Sequence, residues 1–209
     1  MRKKEKARAV IELLKQEYPD VKCALNYKQP HELLIATRLS AQCTDKRVNM
    51  VTPALFERYK TIADFAEADV AEVSELIKTC GLFKAKAKDI VEMCRQLHED
   101  YNDTVPDTIE ELTRLSGVGR KTANLICGDL YGKPAYVCDT HVIRLTNRIG
   151  LAEGKDAVKV EQQLMKIVPP AESLLLCHRL VWHGRLVCDA RKPSCDKCVL
   201  NEICSKKIK

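Results

Sequence analysis

Apolar residues recur every three or four positions along most of this chain, which is the spacing of one face of an α-helix. Alternation with period two, the mark of a half-buried strand, nowhere runs far enough to predict one. The pattern therefore predicts an all-α protein. The runs that carry it are Ala7, Val10, Leu14, Tyr18; Val48, Val51, Leu55, Tyr59; Val70, Val73, Ile77; Ile90, Val91, Cys94, Leu97, Tyr101; and Val142, Leu145, Ile149.

Residues that cap helices stand at the ends of several of these runs. Gly81 and Gly150 are expected to end the helices before them, because glycine adopts the left-handed backbone that closes a helix. Thr108 followed by Glu111 is a capping box, and Pro106 prevents a helix from running in from the N-terminal side. A short helix is therefore predicted over residues 108–115.

Composition narrows the class of protein. The chain has 209 residues, of which 45% are hydrophobic, so it can bury a substantial core. It lacks both an apolar run long enough to span a membrane and the pattern of a signal peptide, so we expect a cytoplasmic protein. Its formal net charge of +6 favours a polyanionic partner, although many basic proteins bind no nucleic acid.

Two glycines, Gly117 and Gly119, separate the short helix from an apolar helix that begins near Lys121. Glycine permits positive φ and close approach of a ligand to the backbone, and a helix N-terminus offers N–H groups and a positive dipole end. Such a turn suits a DNA phosphate. A tight helix–helix turn without any ligand has the same pattern, and the two glycines alone do not separate these interpretations.

Cysteines fall into two groups. Seven of the eleven are scattered singly among helical patterns, as small buried hydrophobic residues are in a reducing cytosol. The other four have six, two and five residues between them and are crowded at the end of the chain: Cys188, Cys195, Cys198 and Cys204. Four thiolates so close together can enclose one metal centre, and zinc and an iron–sulfur cluster both remain open.

Four blocks together resemble the endonuclease III family of DNA glycosylases over essentially the full chain. They are residues 39–45 (LSAQCTD), residues 81–83 (GLF), the hairpin with residues 137–141 (VCDTH), and the cysteine cluster. The hairpin itself resembles a helix-hairpin-helix motif. One departure is Ser116, where the family commonly has proline. The resemblance implies two helical lobes with DNA across the cleft: a six-helix barrel at residues 23–133, and an iron–sulfur domain at residues 1–22 and 134–209.

The resemblance also assigns catalytic residues. Lys121 matches the family's nucleophile, and Asp139 matches the aspartate that assists it. Chemistry supports this, because a helix N-terminus and a neighbouring cation such as Arg120 disfavour a charged lysine and so expose a free amine. Asp139 can stabilise positive charge on the sugar and accept the amine's proton. Taken singly, a lysine here is usually a solvated charge and an aspartate before Thr140 is usually an N-cap.

Contacts with DNA are also implied by the resemblance. Gln42 is expected to fill the space left by a flipped base, and Leu82 to wedge into the opposite strand, although a leucine there can also be a core residue. Asp45 and His141 are expected near the base pocket, with a helix start and a structural histidine as the ordinary alternatives. The remaining expected contacts, all with phosphates, are Gly117, Gly119, Arg191 and Lys192.

The cofactor implied by the resemblance is a [4Fe-4S] cluster on Cys188, Cys195, Cys198 and Cys204. Because all four ligand positions are protein thiolates, no position remains for substrate, so the expected role of the cluster is to order the loop and the terminal helices. A zinc site is the alternative, and visible absorbance distinguishes the two.

The predicted function is that of a base-excision repair DNA glycosylase and AP lyase. It removes oxidised pyrimidines and cleaves the strand 3′ to the abasic site through a lysine Schiff base. The predicted partner is double-stranded DNA with a damaged base or abasic site, bound by a monomer at the nucleoid. The alternatives are a glycosylase for adenine mismatches, mismatched thymine or pyrimidine dimers, a non-catalytic helix-hairpin-helix protein and an iron–sulfur electron carrier. Adenine-mismatch enzymes generally lack the hairpin lysine.

Overall fold

The computed structural model describes residues 2–207. These residues contain no strand and two short 3₁₀ helices, Pro170–Glu172 and Cys195–Lys197. The predicted all-α class is confirmed. The α-helices are α1 (Lys3–Glu17), α2 (Pro30–Ser40), α3 (Asp45–Arg58), α4 (Ile62–Ala66), α5 (Val70–Leu76), α6 (Phe83–Tyr101), α7 (Ile109–Leu112), α8 (Arg120–Tyr131), α9 (Thr140–Ile149), α10 (Ala157–Met165) and α11 (Ser173–Leu186).

The described residues divide into two compact units. The hairpin unit is continuous and runs Cys23–Tyr131, whereas the cysteine unit joins the residues up to Lys22 to those from Gly132 onward. The division falls two residues before the boundary expected from the sequence. No helix in the part of the chain that the structure describes combines the length and apolarity needed to cross a membrane.

The hairpin unit is built around α2 and α6. Residues 33–36 of α2 form an uninterrupted apolar run and are completely buried. A helix that is apolar on all sides is buried on all sides, and α2 accordingly contacts α3, α6 and α8. Helix α6 is amphipathic, packs against α4 and α5, and completely buries Ile90, Cys94 and Leu97. Burial of one such leucine contributes about 1.5–3 kcal/mol.

The cysteine unit has its own core, in which α11 packs against both α9 and α1. Leu14, Leu145 and Leu180 are completely buried in it. Gly184 allows α9 to approach α11 closely, because a Cβ on this glycine would lie 2.8 Å from Nδ1 of His141. The close approach of these helices fixes the position of the residues near the start of α9.

The predicted caps at Thr108 and Gly150 are confirmed, whereas two predicted C-terminal helix ends differ. Gly150 ends α9 with φ of 90°, as expected. The helix predicted over 108–115 is shorter, at Ile109–Leu112, and its capping box is only half formed. Thr108 Oγ1 accepts from the N–H of Glu111, but the Glu111 carboxylate accepts from the Thr108 hydroxyl instead of a backbone N–H.

The prediction that a helix ends at Gly81 is wrong. Helix α5 ends at Leu76, and the left-handed backbone belongs to Leu82, with φ of 57°. Turn hydrogen bonds end the helix early, since the N–H groups of Lys78 and Cys80 bond to carbonyls only three residues back. Leu82 therefore adopts a positive φ, which leucine usually avoids.

Candidate functional site

The turn between α7 and α8 holds Gly117, Val118 and Gly119. Gly117 has φ of 71°, which a residue with a side chain adopts only with strain. Val118 points into the core, 7% exposed, and its N–H bonds to the Leu115 carbonyl at 3.1 Å. The Gly119 carbonyl accepts the first backbone bond of α8, from Ala123. The turn therefore anchors one side chain inside and leaves both glycines exposed.

The two glycines differ in their surroundings. A Cβ on Gly117 would lie 2.6 Å from Arg38 Nε and 2.8 Å from Asp89 Cβ, whereas a Cβ on Gly119 would meet nothing within 4 Å. Arg38 and Asp89 form a partly buried ion pair, with Arg38 Nε 2.8 Å from Asp89 Oδ2. Gly117 is thus required by the fold, while the space over Gly119 is open to a ligand.

Ser116, the departure from the family's usual proline, is held by two hydrogen bonds. Its N–H donates to Oε1 of Gln96 at 2.7 Å, and its hydroxyl lies 3.4 Å from Asp89 Oδ1. A proline has no N–H and lacks the first of these bonds. Hydrogen bonding to α6 therefore supplies the rigidity that a proline ring gives to such a turn.

Lys121 is the second residue of α8 and its side chain is exposed. The next turn of the helix is buried through Ala123, Asn124 and Ile126, so the helix axis is fixed by the core while its first turn faces solvent. The predicted nucleophile is therefore a solvent-facing amine on a rigid element, directly after the hairpin.

Gln42 and Leu82 lie in two neighbouring loops of the hairpin unit. The Gln42 loop (residues 41–44) joins α2 to α3, and the Leu82 loop (residues 77–82) joins α5 to α6. Both residues have positive φ, 53° and 57°, and Leu82 is 59% exposed. The loops touch, because a Cβ on Gly81 would lie 3.4 Å from the Gln42 carbonyl oxygen. Strained backbone that presents exposed side chains is typical of functional loops.

The core-leucine interpretation of position 82 does not hold, because this side chain is exposed. Asp45 is half-buried and begins α3, whose N-cap is Thr44. Asp45 therefore starts a helix, which was the ordinary alternative to a position near the base pocket.

In the cysteine unit, Asp139 caps α9. Its Oδ1 accepts from the Val142 N–H at 2.8 Å, and the side chain is half-buried. One carboxylate oxygen is thus used in capping. The predicted N-cap is confirmed, and such a cap holds the carboxylate at a defined end of the helix.

His141, two residues on, faces α11 and is half-buried. Arg144 Nη2 lies 3.2 Å from its Nδ1, and the backbone of Gly184 is a second hydrogen-bond partner of the ring. Burial lowers the pKa of His141, and Arg144 lowers it further against the raising effect of Asp139. Contacts with Arg144 and Gly184 therefore fix the orientation of this histidine.

The four C-terminal cysteines line one small cavity that is partly open to solvent. All four are half-buried and unpaired as disulfides: Cys188, Cys195, Cys198 and Cys204. No three His, Cys, Asp or Glu side chains among residues 2–207 meet closely enough to hold a single metal ion. The four thiols therefore line a cavity and do not converge on the position of one ion.

Arg148 of α9 organises the loop that carries these cysteines. It is 7% exposed and donates to the carbonyls of Asp189 at 2.6 Å and Ala190 at 2.7 Å. Its Nη1 also lies 3.4 Å from Cys188 Sγ. Arg144 adds a bond to the Cys188 carbonyl at 3.0 Å. Two arginines on consecutive turns of α9 therefore hold the start of the loop.

His183 of α11 contacts another of the thiols. Its Nε2 lies 3.2 Å from Cys198 Sγ, and its Nδ1 lies 3.0 Å from the Tyr18 hydroxyl. Burial lowers the pKa of His183 to about 4, so the ring is neutral. A metal-bound thiolate has no proton, so Nε2–H donates to that sulfur while Tyr18 donates to Nδ1.

The donor set fits an iron–sulfur cluster. Four thiolates are its usual protein ligands, and donors beside the sulfurs stabilise the negative charge of the bound group. Arg148 and His183 supply two such donors, and the N–H of Lys206, 3.3 Å from Cys204 Sγ, supplies a third.

Arg191 and Lys192, predicted to contact phosphates, are both exposed. Their backbone N–H groups donate to Asp189 Oδ1 at 2.8 and 3.0 Å. The Lys192 and Arg191 N–H groups hold the pKa of the Asp189 carboxyl below its usual value. The acid is therefore occupied by backbone donors, and the two cationic side chains project from a tight turn.

Comparisons with known proteins agree with this geometry. Residues 35–170 match the family model described as HhH-GPD superfamily base excision DNA repair protein, and residues 188–204 match the iron–sulfur binding domain of endonuclease III. Endonuclease III of Synechocystis is 45% identical over 97% of this chain and 93% of its own length. Endonuclease III of Escherichia coli K12 is 42% identical over 99% of this chain and 98% of its own length.

A solved structure of a trapped endonuclease III–DNA covalent intermediate matches with a TM-score of 0.93. It is 40% identical, and the match covers 99% of this chain and 97% of that chain. The fold and the matches define a helix-hairpin-helix protein of base excision DNA repair. Within that class, the chain belongs to the endonuclease III family. The predicted resemblance and the predicted iron–sulfur cofactor are confirmed.

The structure groups the predicted residues within each unit. In the hairpin unit it brings the Gln42 and Leu82 loops together and places Lys121 next to the glycine turn. In the cysteine unit it gathers the four thiols and puts Arg191 and Lys192 on the same loop.

Sequence reasoning missed Arg38, Arg148 and His183. A buried arginine or histidine at helical spacing has no distinctive pattern, so no sequence signal marked them.

Proposed function

We propose that this protein, a DNA glycosylase and AP lyase of base excision repair, removes oxidised pyrimidines with Lys121 as nucleophile and Asp139 as its assisting carboxylate. The observation that carries the assignment is the exposed amine of Lys121, presented on the first turn of α8 directly after the glycine turn. The substrate is double-stranded DNA that contains a damaged base or an abasic site.

The chemistry follows from an amine and a carboxylate. The Lys121 amine attacks C1′ of the damaged nucleotide as the C1′–base bond breaks, and the departing base takes a proton from solvent. Positive charge develops on the sugar as the base leaves, and the Asp139 carboxylate stabilises that charge and accepts the proton from the amine. After the sugar ring opens, the C1′–nitrogen bond is an imine. The imine acidifies C2′, and loss of that proton expels the 3′ phosphate, which breaks the strand.

Access to C1′ requires that the damaged nucleotide leave the base stack. Gln42 carries both donors and acceptors and fills the vacated space opposite the orphaned base. Leu82 offers an exposed apolar side chain that wedges between bases of the other strand. Their left-handed backbone projects both side chains from adjoining loops.

Phosphate contacts fix the register of the protein on DNA without reading its sequence. Gly119 allows a phosphate to approach the backbone, since nothing lies within 4 Å of its Cβ position, and Gly117 shapes the turn. Arg191 and Lys192 contribute charge from the cysteine loop (residues 188–204), and His141 lines the rim of the base pocket. When bound, the [4Fe-4S] cluster cross-links four thiolates and orders this loop. The protein acts as a monomer at the nucleoid, a state that light scattering checks.

Borohydride trapping tests the assignment. The holoprotein is incubated with duplexes that contain thymine glycol, an abasic site or only undamaged pairs, and borohydride then reduces any imine to a stable adduct. Wild type is expected to give an adduct on both damaged duplexes. Lys121→Ala is expected to give none while still binding DNA, and Asp139→Asn is expected to trap about 10²-fold or more slowly.

Lys88→Ala is the matched control, because it removes another exposed lysine of the same unit and should leave trapping unchanged. Tight DNA binding without any adduct on either damaged duplex contradicts a lysine nucleophile and supports the non-catalytic helix-hairpin-helix alternative. Duplexes with mismatched thymine or a pyrimidine dimer test the alternative substrates, since preferential trapping there shifts the substrate class but not the mechanism.

A further inference from the structure

The Gln42 loop and the Leu82 loop each contain one cysteine, which lies close in sequence to the residue with positive φ. Cys43 follows Gln42 directly, and Cys80 precedes Leu82 by two residues. The backbones meet beside them, because a Cβ on Gly81 would lie 3.4 Å from the Gln42 carbonyl oxygen. A disulfide requires Cα atoms within about 7 Å of each other, and this contact brings the backbones of the two loops together beside both cysteines.

The two thiols are neighbours but differ in exposure. Cys43 lies near enough to raise the pKa of Cys80, which is completely buried, whereas Cys43 is half-buried and reachable from solvent. Lys86 and Arg47 place positive charge beside Cys80. Lys86 itself is completely buried, and its Nζ donates to the Leu39 carbonyl at 2.7 Å just before the Gln42 loop.

We propose that Cys43 and Cys80 are a redox modification site, at which a reversible disulfide ties the Gln42 loop to the Leu82 loop. Its effect on repair rests on the proposed function of Gln42 and Leu82. The thiol pair has no part in the base-excision chemistry, and it lies in the hairpin unit, away from the cysteine loop in the sequence.

The reaction is thiol–disulfide exchange with a low-molecular-weight disulfide. The Cys43 thiolate attacks one sulfur of the reagent, which forms a mixed disulfide and releases one thiolate. The Cys80 thiolate then attacks the Cys43 sulfur, which forms the internal bond and releases the second thiol. The protein loses two electrons and two protons, and the reagent gains them as two thiols.

Burial raises the pKa of Cys80 to about 11, so the second step is the slower one. The positive charges of Lys86 and Arg47 oppose that rise. Another pair of neighbouring thiols, Cys138 and Cys177, lacks an entry point, since both are buried. Exposure of one partner is therefore what distinguishes the Cys43–Cys80 pair.

Peptide mapping tests the modification. The holoprotein is incubated with oxidised glutathione, remaining thiols are alkylated, and trypsin digestion is followed by mass spectrometry without reduction. Cleavage after lysine and arginine gives LSAQCTDK (residues 39–46) and TCGLFK (residues 79–84), each with one cysteine. A linked pair of these peptides that disappears on reduction is expected. The visible absorbance of the cluster is followed in parallel to verify that it stays intact.

Two variants serve as controls. Cys43→Ala and Cys80→Ala are each expected to abolish the linked peptide, and Cys43→Ala changes only a half-buried position if Cys80→Ala folds poorly. A stable glutathione adduct on Cys43 without the linked peptide overturns the proposal, and so does complete alkylation of Cys80 after oxidation.

Lesion binding gives the functional outcome. The linked wild type is expected to bind a thymine glycol duplex about tenfold more weakly than the reduced protein, because loops tied together adapt less well to a distorted duplex. Reduction restores binding, and Cys43→Ala is insensitive to the oxidant. Unchanged binding by the linked protein overturns the effect on repair. Failure of the reduced protein to bind any lesion contradicts the proposed function instead, while the peptide result still decides the modification site.

Discussion

The Gln42 and Leu82 loops and the cysteine loop (residues 188–204) are both irregular segments, but different forces hold them. The first two are short connections between helices that are themselves buried in an apolar core. The cysteine loop is longer and contains only one 3₁₀ turn, Cys195–Lys197. Its protein contacts are largely polar, from Arg148, Arg144 and His183 to carbonyls and sulfurs.

This difference shows two ways to fix an exposed segment. A short loop takes its shape from the helices at its ends, even where a residue such as Leu82 must adopt a left-handed backbone. A long loop that completely buries few apolar side chains, here Leu200, gains order from a central group that many parts of it bind. We therefore expect the order of the cysteine loop to depend on the cofactor, and the order of the other two loops to be independent of it.

Removal of iron should have the largest effect and should affect one region only. We expect backbone amides over residues 188–206 to exchange hydrogen more than about tenfold faster once the thiolates lose their common partner. Amides of α2 and α6 should keep their protection. Hydrogen exchange with mass spectrometry measures both regions in one sample, and unchanged exchange over 188–206 would show that the protein alone holds this loop.

Arg148→Met should be the next largest change. It removes two short hydrogen bonds to the Asp189 and Ala190 carbonyls, and each bond from a charged donor contributes about 1.5–3 kcal/mol. We expect a loss of about 3–5 kcal/mol in the unfolding free energy of the cysteine unit and faster loss of visible absorbance. Arg191→Met removes an exposed guanidinium from the same loop and should change stability by under about 0.5 kcal/mol.

Gly117→Ala should weaken the hairpin unit by about 2–3 kcal/mol in urea unfolding. The added methyl collides with Arg38 and Asp89, and the positive φ adds strain. Gly119→Ala is the matched control and should cost about 0.5 kcal/mol or less, because its surroundings are open. It should nevertheless weaken DNA binding if a phosphate approaches there. Equal destabilisation by both variants would contradict the assignment of separate roles.

Ser116→Pro should have the smallest effect. It removes the N–H donated to Gln96, a loss of about 1 kcal/mol, while the ring stiffens the unfolded chain by a similar amount. We expect a net change within about 1 kcal/mol of zero by urea unfolding. Ser116→Ala keeps the N–H and separates the two contributions, since it loses only the weak contact with Asp89.

Local pattern was sufficient where neighbours in sequence are also neighbours in space. Helix α9 was predicted from its apolar period, its N-cap at Asp139 and its end at Gly150. All three features depend only on residues within one segment of the chain. The same reasoning failed for α5. Gly81 suggested that this helix ends there, but the helix ends at Leu76 and a turn follows it. A glycine marks only that a turn is possible, and the packing of the next helix decides which residue makes it.

The sequence by itself determined the helical class, the family, the cofactor ligands and the candidate nucleophile, because these depend on residue type and on spacing along the chain. Only the tertiary structure decided which buried polar groups support them. Arg38 against Gly117, Arg148 beneath the cysteine loop and the Cys43–Cys80 contact each join residues that are distant in sequence. Such contacts arise from packing between elements, and the periodic apolar pattern does not specify which elements meet or which polar groups lie between them.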